Sequence, residues 1–184
     1  MEWIGQAIGI VAMAFNILSY QSKSARGVIA MQFFGASLFA ASYLMIGAYV
    51  GGILNAIAAI RALLFYFKDK TKVDRVGWLP VFIGVYLLVY AATFLFVIKQ
   101  PRPVDFAIEI LPVIGMIFTT LAYRYSDAAI IRRLSTGSVV SWLIYNIISF
   151  SLGGIICEVI SIASIIIGML RLDRGKKNDQ ELYF

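Results

Sequence analysis

The chain has 184 residues, of which 61% are hydrophobic and only 14% are charged, and its formal net charge is +6. Because soluble domains are nearer to half apolar and a quarter charged, this composition excludes an ordinary soluble domain. The sequence has no histidine and one cysteine, Cys157, which argues against a zinc site, a histidine-activated nucleophile and an intramolecular disulfide.

Apolar runs separated by clusters of charge predict seven membrane-spanning helices. About 20 apolar residues cross a bilayer as a helix, so a chain of this length holds about seven short spans and no separate soluble domain. In chain order, the predicted helices cover residues 3–20, 29–48, 52–68, 78–98, 104–123, 134–150 and 153–171.

Two of the predicted connections are short, apolar and rich in glycine. Residues 49–52 (Tyr-Val-Gly-Gly) join the second and third helices, and residues 151–154 (Ser-Leu-Gly-Gly) join the sixth and seventh. Glycine accepts the positive φ that a tight turn between two helices needs. We therefore predict a tight turn at each place.

The placement of lysine and arginine predicts the orientation in the membrane. Thirteen of these residues lie on the tail and on the loops after the first, third and fifth helices, whereas Lys99 and Arg102 alone lie on the opposite side. Positive loops stay in the cytoplasm, which predicts an N-terminus outside and a cytoplasmic C-terminus. The same distribution favours contact with anionic membrane lipids over binding to nucleic acid.

The first three predicted helices align with the last three, which indicates an internal repeat. At an offset of 103 residues Tyr20 aligns with Tyr123, and at an offset of 102 residues the Gly-Gly-Ile segment 51–53 aligns with 153–155. The same alignment pairs Gln6 with Glu109, Gly9 with Pro112, Phe15 with Phe118, Tyr43 with Tyr145 and Asn55 with Cys157.

The sequence therefore predicts an all-α transmembrane fold in which seven helices form a 3+1+3 arrangement of two parallel three-helix repeats. The single helix between the repeats returns the chain to the outside, so both repeats enter the membrane in the same sense. The alternative is an irregular seven-helix bundle whose matching glycines are coincidental. The predicted segments are a first repeat at 3–68, a loop and linker helix at 69–103, a second repeat at 104–171 and a cytoplasmic tail at 172–184.

The segment 109–115 (Glu-Ile-Leu-Pro-Val-Ile-Gly) and the Gly153-Gly154 turn followed by Glu158 resemble the YgjV family of bacterial inner membrane proteins. The resemblance covers residues 3–172. The 3+1+3 pattern is also similar to the SWEET sugar transporters and their relatives in the PQ-loop superfamily. These resemblances imply a multi-pass protein of the bacterial inner membrane that moves a small polar solute by alternating access between its repeats.

The chain departs from the SWEET-like pattern in two places. The Pro-Gln pair that names the PQ-loop group is absent, and Tyr20-Gln21 stands at the corresponding helix end. The first helix of the second repeat carries a proline, Pro112, whereas the first repeat has Gly9 at the matching position. Movement hinged on a proline is therefore expected in the second repeat more than in the first.

Three charged residues lie within the predicted spans, where a charge costs a few kcal/mol and needs a partner or water. Arg61 lies roughly 10 Å from the cytoplasmic end of its helix. It reaches the lipid headgroups, forms a structural ion pair, or serves as a gate or as the contact for an anionic group of the solute. We include it among the gating or proton-coupling candidates.

Glu109 and Glu158 lie at similar depths, roughly 8 Å from the outer ends of their helices. Two neighbouring carboxylates in a low dielectric can share a proton, which predicts a proton-coupling device. The alternative is that each is hydrogen-bonded locally and stabilises the bundle. Pro112, three residues after Glu109, leaves the carbonyl of Ile108 without its helical donor and favours a kink, which is common at transporter sites.

Neutral polar and aromatic residues form the predicted substrate-binding set. The SWEET-like resemblance implies that Asn55 is a substrate-binding amide and that Trp142 and Tyr145 form an aromatic platform. With Asn16 and Asn146, they suit a neutral polar ligand such as a sugar or a vitamin, because amides both donate and accept hydrogen bonds. The alternatives are interfacial anchoring for the aromatic residues and interhelical hydrogen bonds for the asparagines.

We interpret the chain as a transporter of a small polar solute, without catalytic activity, cofactor or metal. The same fold also suits a receptor or sensor that binds without transport, and a structural assembly protein of the membrane. Small residues at 35–37, 40–42 and 56–62 predict close helix packing within the first repeat, with a homo-oligomer surface as the alternative. The transporter interpretation requires a solvent-reachable cavity between the repeats.

Overall fold

The computed structural model describes residues 2–45, 49–75, 77–98, 100, 102–148 and 152–173. The regular structure within these residues is helical throughout, without strands. The final turns of α5 and α8 continue as π-helical turns at Thr93–Val97 and Met169–Asp173. The helices are α1 (Glu2–Ser19), α2 (Ala25–Met45), α3 (Tyr49–Tyr66), α4 (Lys68–Thr71), α5 (Trp78–Ala92), α6 (Pro103–Arg124), α7 (Ala128–Ile148) and α8 (Leu152–Gly168).

Four helical segments are long and apolar enough to cross a membrane: Ala25–Met45, Trp78–Phe96, Pro103–Arg124 and Gly154–Asp173. Two more, Trp3–Ser19 and Gly52–Tyr66, are apolar but shorter. The prediction of an all-helical membrane protein is therefore confirmed. That α1, α3 and α7 also span the membrane stays a prediction.

The helices α2 and α7 begin earlier than the hydropathy predicted, at residues 25 and 128 instead of 29 and 134. A polar side chain caps each start. The Ser24 hydroxyl accepts from the Gly27 N–H at 3.1 Å, and the Asp127 carboxylate accepts from the Ala129 N–H at 2.9 Å. N-caps of this kind satisfy N–H groups that a helix start leaves unpaired, so the helix extends into a polar stretch.

Residues 49–52 and 152–154 are helical, so the prediction of a turn at these residues is wrong. Gly52 lies in the first turn of α3 and Gly154 in the first turn of α8. Residues 46–48 and 149–151 lie outside the described residues. Both glycines instead allow close helix packing. A Cβ on Gly52 would lie 2.8 Å from the Leu44 side chain, and one on Gly154 would collide with the Asn146 side chain.

The long helices pack in two groups. The first helix group consists of α1, α2 and α3, and the second helix group of α6, α7 and α8. The helix α5 packs against α6, on the second helix group. Contacts between the groups run through α3 with α6, α1 with α8, and α2 with α7.

The largest buried cluster lies at the end of the bundle where the basic loops occur, which we call the basic end. The cluster comprises residues from the starts of α2, α5 and α7, from the end of α3, and from α6. The Phe65 ring is central, stacked 5.8 Å from Phe82 and edge-on at 5.9 Å from Tyr123. Phe65 thereby joins the first helix group to α5 and α6 in one packed layer.

Replacing Gly35 with valine should disrupt the packing of α1 on α2. A Cβ at Gly35 would lie 3.2 Å from the Ala12 carbonyl oxygen, a backbone atom that cannot turn away. We expect Gly35→Val to destabilise the protein by about 1–3 kcal/mol, the usual cost of overpacking. Thermal unfolding of the purified protein in detergent measures this change as a fall in Tm.

Gly84 on α5 provides the matched control, because it is exposed and nothing lies within 4 Å of a Cβ built there. Gly84→Val should leave the Tm unchanged or slightly raised. Equal losses in the two variants would contradict the packing role of Gly35.

Candidate functional site

A cavity of about 490 Å³ lies between the two helix groups. All six of their helices line it, whereas none of its lining residues in the described part of the chain comes from α5. The wall reaches from Gln6, an exposed residue near the start of α1, to Arg61 and Tyr123 near the basic end. This volume accommodates a small organic molecule, at the lower end of the usual range for ligand sites.

Amides, hydroxyls and aromatic rings share the cavity wall. Five residues contribute amides, and five contribute aromatic rings. Such a lining offers donors and acceptors to polar groups and flat surfaces to an apolar face of a ligand. The amides are Gln6, Asn16, Gln32, Asn55 and Asn146, and the rings are Tyr20, Phe39, Tyr43, Tyr123 and Trp142.

Six of the nine predicted site residues line this cavity. They include four of the five predicted substrate-binding residues and two of the four gating or proton-coupling residues. Tyr145, Glu109 and Pro112 are absent from its wall. Those that line it are Asn16, Asn55, Trp142, Asn146, Arg61 and Glu158.

Arg61 is buried at the basic end of the cavity, where it contacts α5 and α6. Its Nη1 donates to the Tyr86 hydroxyl and the Met116 carbonyl, both at 3.1 Å, and to the Thr120 hydroxyl at 3.4 Å. The guanidinium carbon lies 5.3 Å from the centroid of the Tyr123 ring, which adds a cation–π contact. Arg61 therefore joins the first helix group to the second.

These contacts decide among the alternatives for Arg61. The residue is only 3% exposed and bonded within the bundle, so it does not reach the lipid headgroups. No carboxylate of the described residues lies within 4.0 Å, so the described residues supply no ion pair either. Arg61 joins the helices α3, α5 and α6, and its gating or ligand-contact role stays a prediction.

The two glutamates do not meet at one site. Glu158 lies on the cavity wall, whereas Glu109 is half-buried outside it. The Tyr145 side chain interacts with the Glu109 carboxylate, which joins α6 to α7 outside the cavity. The proton-coupling role of the two glutamates stays a prediction.

Tyr145 contacts a residue of the cavity wall without lining the cavity itself. Its ring lies edge-on to Trp142, with 5.9 Å between the centroids, so it supports the indole that forms the wall. Pro112 is buried inside α6, and the helix continues on both sides of it from Pro103 to Arg124. Neither residue is part of the cavity wall.

Hydrogen bonds between the two helix groups gather at the basic end. The Gln21 amide donates to the Ser164 carbonyl at 2.7 Å, and the Ser164 hydroxyl donates to the Ile17 carbonyl at 2.7 Å. The Tyr123 hydroxyl donates to the Gln32 side chain. These bonds join α1 to α8 and α2 to α6.

Arg132 forms the strongest connection at this end. Its guanidinium is 2% exposed, pairs with the Asp173 carboxylate and donates to the Ser22 carbonyl at 2.8 Å. The hydrogen bonds of Gln21, Gln32, Arg61 and Arg132 between the groups all lie toward the basic end. The structure is thus closed at the basic end, and the cavity extends toward the other.

The sequence analysis did not identify Gln32, Tyr123 and Arg132 as functional candidates. For two of them, a feature of the sequence could have indicated a role at the cavity. Gln32 is a polar residue inside an apolar run, and Tyr123 aligns with Tyr20, which also lines the cavity. Arg132 was missed because the predicted start of its helix lay two residues beyond it.

The comparison with known proteins identifies the family. Residues 3–176 match Imp-YgjV, described as a bacterial inner membrane protein. The chain belongs to this family. It is similar to the inner membrane protein YgjV of Escherichia coli (strain K12), at 23% identity over 156 residues, which cover 85% of this chain and 77% of that relative. No solved structure matches the chain.

The family membership confirms the predicted resemblance to YgjV and the assignment to the bacterial inner membrane. The wider resemblance to SWEET transporters and the PQ-loop superfamily stays a prediction. The number of spans and their orientation also stay predictions, because four helices meet the length and hydropathy of a membrane span.

Removing the carboxylate of Asp173 should strongly destabilise the protein. The buried Arg132 would keep its charge without a counterion, and breaking a buried ion pair from one side costs about 3–5 kcal/mol. We expect Asp173→Asn to lower the Tm by many degrees in detergent. The double variant with Arg132→Gln should lose less than the sum of the two single variants, because both remove the same interaction.

The exposed pair of Arg26 and Asp69 is the matched control, since its side chains are 68% and 69% exposed. Asp69→Asn should change stability by less than about 1 kcal/mol. If Asp173→Asn were as mild as Asp69→Asn, the buried pair would not hold α7 to the end of α8.

Proposed function

We propose that this inner membrane protein transports a small polar solute by alternating access between its two helix groups. The main support is the cavity between the groups, because matched positions of the two groups supply its walls. At the offsets of 103 and 102 residues derived from the sequence, five lining residues of the first group pair with five of the second. The pairs are Met13 with Met116, Asn16 with Thr119, Tyr20 with Tyr123, Ala36 with Ser138, and Asn55 with Cys157.

Matched glycine contacts support the proposal that the groups are repeats. Gly35 packs near Phe15, and at the equivalent positions Gly137 packs against the Phe118 ring. The contact of Gly52 with Leu44 likewise corresponds to that of Gly154 with Asn146. Similar contacts at similar offsets indicate that α1–α3 and α6–α8 have one packing plan.

In this proposal α5 is the linker of a 3+1+3 arrangement. It supplies none of the described cavity wall and packs on one side of α6. One helix between two groups of three lets both groups enter the membrane in the same sense. Two parallel repeats around a shared cavity can rock against each other while the solute stays between them.

The distribution of contacts supports one of the two states that alternating access requires. The groups are bonded at the basic end, and the cavity extends to the opposite end. The placement of lysine and arginine assigns the basic end to the cytoplasm, so this state is open to the outside. The opposite state requires that the bonds of Gln21, Gln32 and Arg132 break and that the other end closes.

Cys157 gives a direct test, because it is the single cysteine of the chain and lines the cavity. A membrane-impermeant methanethiosulfonate reagent is applied to oriented vesicles. We expect rapid modification from the side opposite the basic loops. Slower modification should occur from the basic side, because a transporter visits the opposite state.

Two control variants carry Cys157→Ala. Ala163→Cys places the thiol on the outer surface of α8, away from the cavity. In the proposed arrangement this surface faces lipid, so the reagent should not modify the thiol from either side. Ser24→Cys places it at the exposed basic end and reports the vesicle orientation. Strictly one-sided modification of Cys157 would favour a receptor or sensor, and none from either side would favour an assembly protein.

Weakening the basic end should shift the protein toward the opposite state. Gln32→Leu removes the hydrogen bonds of this amide to Tyr123 and to the Ser19 hydroxyl. A hydrogen bond contributes about 1 kcal/mol, so the rate of Cys157 modification from the basic side should rise by about fivefold or more. Gln6→Leu, at the exposed end of the cavity, is the control and should leave that rate unchanged.

A further inference from the structure

The charge on Arg61 has no counterion among the described residues. Its hydrogen bonds to Tyr86, Met116 and Thr120 all leave from Nη1 and end on neutral acceptors. Nε is buried and has no hydrogen-bond partner within the described residues. Neutral acceptors and an aromatic face stabilise a guanidinium but do not neutralise it, and an unpaired charge is costly inside a membrane protein.

Arg132 shows what a structural arginine looks like in the same protein. It is as deeply buried as Arg61, and it has Asp173 as its carboxylate partner. Arg61 differs from it in two respects: it lacks such a partner and it forms part of the cavity wall. A counterion for Arg61 can therefore arrive through the cavity.

The rest of the cavity wall fits a molecule with one anionic end. The other charged residue on it, Glu158, aligns with Ala56, five residues from Arg61 along the matched helices. Five residues correspond to roughly 8 Å along a helix axis. A small molecule can therefore place an acidic group at Arg61 and its neutral or cationic polar groups among the amides and Glu158.

We propose that the solute carries a carboxylate and that this carboxylate pairs with Arg61. The proposal rests on the proposed transport function and names its substrate class. A single guanidinium balances one negative charge, and Nε belongs to the edge of the guanidinium that binds two carboxylate oxygens together. The sequence favoured a neutral ligand, and the unpaired charge of Arg61 is the reason for the change.

Arg61 also connects the carboxylate to the closing of the basic end. The same guanidinium holds α3 against Met116 and Thr120 of α6. A carboxylate that takes over donors of Arg61 competes with those bonds. Binding of the solute and release of the contact between the helix groups are then linked through one side chain.

Anion attraction to the cavity can be measured by quenching of Trp142 fluorescence. The chain has three tryptophans, and Trp3→Phe with Trp78→Phe leaves Trp142, which is on the cavity wall, as the single emitter. In this background, purified protein in detergent is titrated with iodide, acrylamide and caesium. These probes are anionic, neutral and cationic.

We expect the iodide quenching constant to fall by about twofold or more in Arg61→Gln, because a nearby charge raises the local anion concentration. The acrylamide constant should stay the same. Arg61→Lys keeps the charge and should keep most of the iodide effect, even where Arg61→Gln folds poorly. Arg133→Gln removes an exposed cation one residue from Arg132 and should leave the iodide constant unchanged.

Equal iodide constants in the parent and in Arg61→Gln would overturn the proposal. If Arg61→Gln cannot be purified, equal quenching constants for iodide and caesium in the parent protein would overturn the proposal as well. In either case, quenching by acrylamide would show that solvent reaches the cavity, so the transport proposal would stand without the carboxylate proposal. If none of the three probes quenched Trp142, both proposals would fail.

A thermal-shift series separates a carboxylate from other anions. The probes are propionate, lactate and succinate, the neutral amides propionamide and lactamide, and inorganic phosphate. Stabilisation by a carboxylate beyond its amide, lost in Arg61→Gln, would support the proposal. Stabilisation by the amides alone or by phosphate alone would overturn it, and without any stabilisation the quenching result decides.

Discussion

Two buried arginines join the helix groups at the basic end, and the position of the cavity depends on them. Arg132 joins the start of α7 to the end of α8 and to the loop after α1. Arg61 joins the middle of α3 to α6. Charged hydrogen bonds inside a bundle are strong, since the alternative is an unsatisfied charge in a low dielectric. The groups are hydrogen-bonded to each other at the basic end, and the cavity between them extends toward the other end.

The two arginines differ in the counterion that balances their charge. Arg132 pairs with a carboxylate of the same chain, so its charge is balanced once the protein has folded. Arg61 contacts a carbonyl, a hydroxyl and an aromatic ring, all of which are neutral. Its charge at the cavity wall therefore has no counterion among the described residues. The first arrangement is a structural contact, and we propose that a ligand completes the second. This difference depends on tertiary neighbours, because the sequence does not show which of the two arginines lies beside a carboxylate.

Hydropathy predicted the helices well, since long apolar runs have few other stable forms in a bilayer. It failed at the starts of α2 and α7, where Ser24 and Asp127 cap helices that begin in polar sequence. It also could not tell which face of each helix meets the cavity. Glu109 and Glu158 have similar depths, yet only Glu158 lines the cavity. Rotation of a helix follows from contacts such as Gly115 with Trp142, which periodicity does not encode in mostly apolar helices.

In the proposed repeat, matched positions line the cavity, but their chemistry is not matched. Asn16 corresponds to Thr119, Ala36 to Ser138, and Asn55 to Cys157. Two amides of the first group therefore correspond to a hydroxyl and a thiol of the second. A molecule bound between two unequal halves has one preferred orientation, where a symmetric chamber would allow two. In the proposed arrangement, the divergence of the side chains thus gives the solute a defined polarity in its site.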